Sequence, residues 1–284
     1  ITGIFSLAFS DQHKKCFRLK HGLNMKKKIS AVLLLVIIPL AGVQGISYKR
    51  QNAILRKAIS MYRRLSSSNI KWTTLGRSNR KNRIYYREFG HGEKLTMVVG
   101  GIHGDEPVSF ISTVMLARSL ERNPDLIKNR VIIIPCLNPD GLLKGMRTNG
   151  RRVDINRNFP TATWSFEYAK PHNNPGKLPA SEPETVLLAN LIEETRPELL
   201  IQMHQPFSGL YPDSKVPPDL LKIMSGITGL PVQVYIGYET PGSLGSLKST
   251  FNFKIYGITY ELCAIDTEPD YNIITLSLIE AINH

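Results

Sequence analysis

Of two histidines, His103 lies just after an apolar run, in Gly101-Ile-His-Gly-Asp-Glu-Pro107, and His204 closes one, in Leu199-Leu-Ile-Gln-Met-His204. Glu106 follows His103 by three residues, so a single turn can aim an imidazole and a carboxylate at one ion. Two histidines and a glutamate, with water in the fourth position, make a hydrolytic zinc arrangement. A closed structural zinc site would call for thiolates, and none accompanies these residues. Glu261, in Ile258-Thr-Tyr-Glu-Leu-Cys263, is a carboxylate within an apolar strand, where a charge is costly unless it has a partner or a task. General base beside activated water is such a task. Between the ligands runs Arg147-Thr-Asn-Gly-Arg-Arg-Val-Asp-Ile-Asn-Arg-Asn-Phe-Pro160, too apolar and tightly composed for a solvated loop. Its Asn156-Arg157 pair offers an amide and a planar fork of donors, suited to holding a carboxylate in two places. Arg147 can supply positive charge to a developing oxyanion. Arg151 and Arg152 read as surface cations, and His91, His172 and His284 as solvated bystanders.

These groups need rigid elements behind them. Residues 95–101, 131–137, 199–203 and 258–263 are short apolar runs of the kind that form strands buried on both faces. Residues 71–78 and 83–89 read as two strands joined by the polar turn 78–82. Helical spacing covers 107–120. Ser181-Glu-Pro-Glu184 reads as a capping box opening a helix to about Glu194. Strands alternating with helices predict an α/β fold: a mixed, mostly parallel central sheet with helices on both faces. His103 would then lie where the carboxyl edge of such a sheet opens into a crevice.

The net charge of +13 invites nucleic acid as a partner, but its distribution argues otherwise. Residues 1–45 carry seven cations against Asp11, and residues 46–88 carry twelve against Glu88, which leaves 89–284 at −4. No basic face belongs to the body of the chain, so nucleic acid is excluded. Met25-Lys-Lys-Lys28, the apolar run from Ala31 to Val43 and Gln44-Gly45 read as a secretory signal cut before Ile46. An uncleaved membrane anchor is the rival reading. Residues 1–24 read as a translated upstream segment, 46–70 as a basic amphipathic helical segment, and 71–284 as the catalytic domain. The cationic stretch 46–88 is a candidate for contact with an anionic envelope surface, although a helix packed on the domain with a solvated cationic face is favoured. Cys136 and Cys263 fit either two buried thiols or one disulfide.

His103-x-x-Glu106, Asn138-Pro-Asp-Gly141, Asp154-x-Asn156-Arg157-Asn158, Ser181-Glu-Pro-Glu184, His204 and Glu261, in this order, resemble the zinc carboxypeptidase family of carboxypeptidase A type. The resemblance spans about residues 70–270. The opening Gly-Ile-His-Gly-Asp-Glu-Pro, the short Arg147–Asp154 spacing and Thr240-Pro-Gly-Ser-Leu-Gly245 look closest to the bacterial murein peptide amidase branch. It implies one zinc ion per chain on His103, Glu106 and His204, with Glu261 as general base and acid. It further implies that Arg147 polarises the scissile carbonyl, Asn156 and Arg157 anchor a terminal carboxylate, and Asp154 orients His103. Tyr238 falls near the place of the family's active-site tyrosine, and Leu244 where its side-chain specificity pocket is expected, with no acidic residue evident there.

The expectation is an exported, zinc-dependent peptidase that cleaves a short cell-wall peptide with a free carboxylate, at a γ-D-glutamyl–diaminopimelate bond. General carboxypeptidase action, an N-acyl amino acid deacylase of aspartoacylase type and an inactive peptide-binding module are the alternatives. The Asn138 and Ser181 motifs argue against the deacylase, and the complete ligand set with Glu261 argues against the module.

Overall fold

The computed structural model describes residues 40–284, with side chains from Arg50 onward; the upstream segment and most of the signal run lie outside them. Seven strands, β1 (Thr73–Arg77), β2 (Arg83–Phe89), β3 (Leu95–Val99), β4 (Arg130–Ile134), β5 (Leu199–His204), β6 (Gly209–Pro212) and β7 (Tyr256–Glu261), form one sheet in the order β1-β2-β4-β3-β5-β7-β6. The inner four are parallel, while β1, β2 and β6 join antiparallel at the edges.

Every residue of β3 and β5 is buried, and successive side chains serve opposite faces. Val98, Ile133 and Ile201 enter one apolar core, and Met97, Val99, Ile132, Ile134 and Leu200 the other. The first core is roofed by helices α1 (Leu40–Arg63), α2 (Pro107–Arg122), α5 (Pro218–Thr228) and α7 (Tyr271–Asn283). The second is roofed by α4 (Pro183–Thr195) and the one-turn α6 (Leu244–Leu247). Helices cover both faces, as the alternating pattern predicts. Among the described residues no helix is long and apolar enough to cross a membrane.

Helix α1 buries Ile54, Ala58 and Tyr62, one stripe at four-residue spacing, and exposes Arg56, Lys57 and Arg63, with Arg64 exposed just past its end. Tyr62 packs edge-on against Phe110 of α2 and donates to the Arg83 carbonyl at 2.7 Å. The segment is therefore part of the core, with its cations in solvent. Cys136 and Cys263 are both buried thiols.

The capping box expected at Ser181–Glu184 is not formed. The N-cap of α4 is Glu182, without a side-chain cap. The Ser181 hydroxyl instead donates to Glu182 Oε1 and accepts from Asn158 Nδ2, while Glu184 accepts from Asn79 N–H and Asn149 Nδ2. Pairing across the buried interior has overridden the local motif.

Strand β3 leads through α2 leftward to β4, whereas β5 lies on the other side of β3. This switch point opens a crevice at the carboxyl ends of β3 and β5, where α/β sheets place their ligands.

Candidate metal centre and active site

The chain leaves β3 through Gly100–Gly104 before entering α2, and this turn delivers His103 and Glu106 to the crevice. A Cβ at Gly104 would lie 1.9 Å from the Gly141 carbonyl carbon, so only glycine lets this turn sit on α3 (Pro139–Leu142). Asn138 caps α3 by accepting from Gly141 N–H at 2.8 Å, and donates to the Arg147 carbonyl at 3.1 Å. Asp140 accepts from Ser78, Arg80 and Asn82, tying the β1–β2 turn to the same support. The Asn-Pro-Asp-Gly motif is thus the floor on which the site stands.

His103, Glu106 and His204 converge, all three almost fully buried, with one donor atom from each lying within 4.8 Å of the others. His103 Nδ1 is 2.7 Å from Glu106 Oε1 and 3.2 Å from His204 Nδ1; Glu106 Oε2 is 2.9 Å from His204 Nδ1. On its far side His103 Nε2 meets Asp154 Oδ1 at 3.1 Å. If that nitrogen carries the ring proton, His103 Nδ1 turns a lone pair toward a carboxylate oxygen and a second imidazole. Acceptors that face each other so closely in a buried site need a proton or a cation between them. Burial and Arg147 lower the proton affinity of His103, but Glu106 and Asp154 outweigh both and hold it up at about 9. Burial alone would raise the Glu106 carboxyl, yet the two imidazoles pull it far below the usual range. Two buried imidazoles and a carboxylate under this anionic demand suit a divalent ion, and their N/O chemistry and spacing fit tetrahedral zinc.

Asp154 caps the turn Ile155–Arg157, accepting from Asn156 N–H at 2.9 Å, and also takes Arg147 Nε at 3.0 Å. It thereby fixes the His103 ring and the Arg147 guanidinium together. Asp154→Ala is expected to weaken metal binding by about 10–100-fold, read by competition with a chromogenic chelator. Unchanged affinity would remove Asp154 from that role.

Glu261 ends β7 directly beside His204 in the parallel register, a strand spacing of about 4.8 Å. It is 3% exposed and accepts from Phe207 N–H at 3.3 Å. Burial, then the Glu106 charge, raise its carboxyl to about 8, only partly offset by that N–H and by His103 and Arg147. Asn156 Oδ1 accepts from Leu244 N–H, and Arg157, 5% exposed, donates to the Asn156 carbonyl and faces the Tyr238 ring at 6.0 Å.

All these groups except Asp154 and Leu244 line one cavity of about 960 Å³. Tyr238 stands in its wall beside Phe207. Leu244 must be corrected. Its side chain is fully buried in the second core, and it is the N–H that serves the site by orienting Asn156. Ser243, Gly245 and Ser246 face the cavity instead. The expectation of no acidic residue is also corrected, because Asp213 lines that wall with Lys248. Neither residue sits in a recognisable motif; only the strand pairing of β6 with β7 brings Asp213 there.

An α/β sheet with a buried two-histidine, one-carboxylate cluster at its switch point, and a raised glutamate beside it, defines a metal-dependent hydrolase. The zinc carboxypeptidase profile matches residues 55–212, and the chain belongs to that family. Murein peptide amidase A of Escherichia coli K12 is 32% identical over 183 residues, covering 61% of this chain and 72% of the relative. The same-named protein of Vibrio campbellii is 33% identical over 161 residues, 53% of this chain and 62% of its own. The crystal structure of murein-tripeptide amidase MpaA from Escherichia coli O157 superimposes with a TM-score of 0.62 at 27% identity, covering 74% of this chain and 91% of that one.

Proposed function

We propose that this protein hydrolyses the amide bond of a short murein peptide with a free carboxylate, at a γ-D-glutamyl–diaminopimelate bond. The observation that carries the reading is the meeting, in one cavity, of the metal-ligand triad, Glu261 and the buried Arg157. The names of the relatives support the substrate class.

In this reading His103, Glu106 and His204 hold one zinc ion, which when bound supplies a Lewis acid for the scissile carbonyl and for water. Arg157 and Asn156 bind the terminal carboxylate and set the scissile bond against Glu261. Arg147 neutralises charge developing on the carbonyl oxygen. The charge of a bound ion would favour the ionised form of Glu261, an oxygen of which takes a proton from the attacking water and returns it to the leaving nitrogen. Water adds across the C–N bond, giving a carboxylate and an amine. Tyr238 closes over the carboxylate held by Arg157.

Export belongs to the same proposal, supported by Met25-Lys-Lys-Lys28 and the apolar run after it. The exposed cations of α1 suit contact with an anionic envelope surface.

A panel of γ- and α-linked peptides, each with D- and L-configured residues and with free or amidated carboxylates, tests the substrate. The γ-linked murein tripeptide with its carboxylate free is expected to be cut fastest. Faster release of terminal residues from α-linked L-peptides would show ordinary carboxypeptidase action instead.

A further inference from the structure

The same cavity holds a charge pair that the reaction does not use. Asp213 follows β6, and Lys248 follows α6; Lys248 Nζ donates to Asp213 Oδ2. Their side chains are 15% and 21% exposed and line the cavity. Asp213 is bolted to β7. Its N–H donates to the Gly257 carbonyl at 2.9 Å, and its Oδ2 accepts from Gly257 N–H at 2.7 Å. Its Oδ1 accepts from Lys215 N–H at 2.8 Å. Burial would raise the Asp213 carboxyl, but Lys248 and these N–H groups hold it below its usual value.

Gly257 precedes Glu261 by four residues, about 13 Å along a strand. A Cβ at Gly257 would lie 3.0 Å from Lys248 Nζ, so the missing side chain keeps the approach to the pair open. Apart from the reaction centre and Asp105 beside Glu106, the other formal charges lining the cavity, Glu167, Lys170 and Glu239, sit on its exposed rim. Away from the reaction centre and its Asp105, Asp213 and Lys248 are thus the charged pair that a long substrate side chain entering the cavity can meet inside the rim.

We propose that Lys248 and Asp213 select a peptide whose last side chain itself ends in an amino-acid head, its carboxylate on Lys248 and its ammonium on Asp213. This rests on the murein-peptide reading and identifies the group by which that peptide is recognised. The bonding capacity exists. Lys248 has three N–H donors and uses one on Asp213, while the two Asp213 oxygens take three bonds and retain acceptor capacity. A zwitterionic end adds no net charge to the pocket. A lone ammonium is repelled by Lys248, a lone carboxylate by Asp213, and an apolar end strips water from both charges without replacing it.

The test compares kcat and KM for three γ-linked tripeptides that end in diaminopimelate, in lysine, or in 2-aminopimelate, which keeps the distal carboxylate but lacks the ammonium. The wild-type protein is expected to prefer the zwitterionic end over either analogue by on the order of 100-fold, mainly through KM. Lys248→Met should erase the preference over lysine, Asp213→Asn the preference over 2-aminopimelate, and Lys248→Arg should keep both. A variant that melts early is set aside, and the wild-type ratios with Lys248→Arg then decide. Variants that slow all three peptides in proportion, or a wild-type protein indifferent to the side-chain end, overturn the assignment while leaving the murein reading intact. Turnover of α-linked peptides with none of the three cut sinks the murein reading and the pair's role together.

Discussion

Glu261→Gln is expected to lower kcat by about a thousandfold while leaving the metal content of the protein unchanged. The amide keeps the size of the carboxyl and its place at the end of β7, but it cannot accept a proton. Glu261 lies outside the triad that could hold the ion, so its replacement is expected to remove proton transfer and not a ligand. A variant that loses its metal would show Glu261 to be structural to the centre. One that keeps more than about a tenth of wild-type kcat would place the base elsewhere.

The same substitution has a signature in stability. Buried Glu261 holds its proton up to about 8, against a reference of 4.5 for an ordinary glutamate. Between those values the folded protein binds a proton that the unfolded chain has released. Its contribution is therefore fully present below about 4.5 and is lost as pH rises through about 8. Glutamine carries no such dependence. Metal-free Glu261→Gln should thus lose less stability than metal-free wild type between pH 5 and pH 9, measured by denaturant unfolding, on the order of that pKa window. Parallel losses would mean that Glu261 is ionised in the fold.

Arg157→Met is expected to reduce kcat/KM for a peptide with a free carboxylate by on the order of a thousandfold, mostly through KM. Arg157 is 5% exposed, with one N–H given to the Asn156 carbonyl and the rest of its fork turned to the cavity. A buried cation that pairs with substrate charge discriminates strongly against a substrate lacking that charge. The wild-type protein should accordingly reject the amidated peptide, and Arg157→Met should treat free and amidated peptides alike. An equal loss on both would make Arg157 a structural residue of the turn Ile155–Arg157.

The chemistry of this site was legible because it sits on strands that apolar runs announce. His103 follows such a run, His204 closes one and Glu261 lies inside one, and parallel pairing of β3, β5 and β7 brings the three together. What local pattern could not show is where a loop points its side chains. The segment 240–247 carries a readable motif, yet the one-turn α6 turns Leu244 inward and presents Gly245 and Ser246 to the cavity. Ser181 and Glu184 have the spacing of a cap, but partners 23 to 105 residues away in sequence claim them. The edge strand β6 has four residues, too few to show a period, and it is β6 that positions Asp213. In α7, Ile273-Ile-Thr-Leu-Ser-Leu-Ile279 alternates in a way that suits strand as well as helix, and only packing on α2 and α5 resolves it.

One ion held by His103, Glu106 and His204 is proposed to drive amide hydrolysis in this cavity. The most direct measurement follows release of diaminopimelate from the γ-linked tripeptide before chelation, in excess chelator, and after zinc is restored. Cleavage that stops on chelation and returns in proportion to zinc, up to one ion per chain, is the predicted result. Turnover that continues undiminished in excess chelator would contradict it.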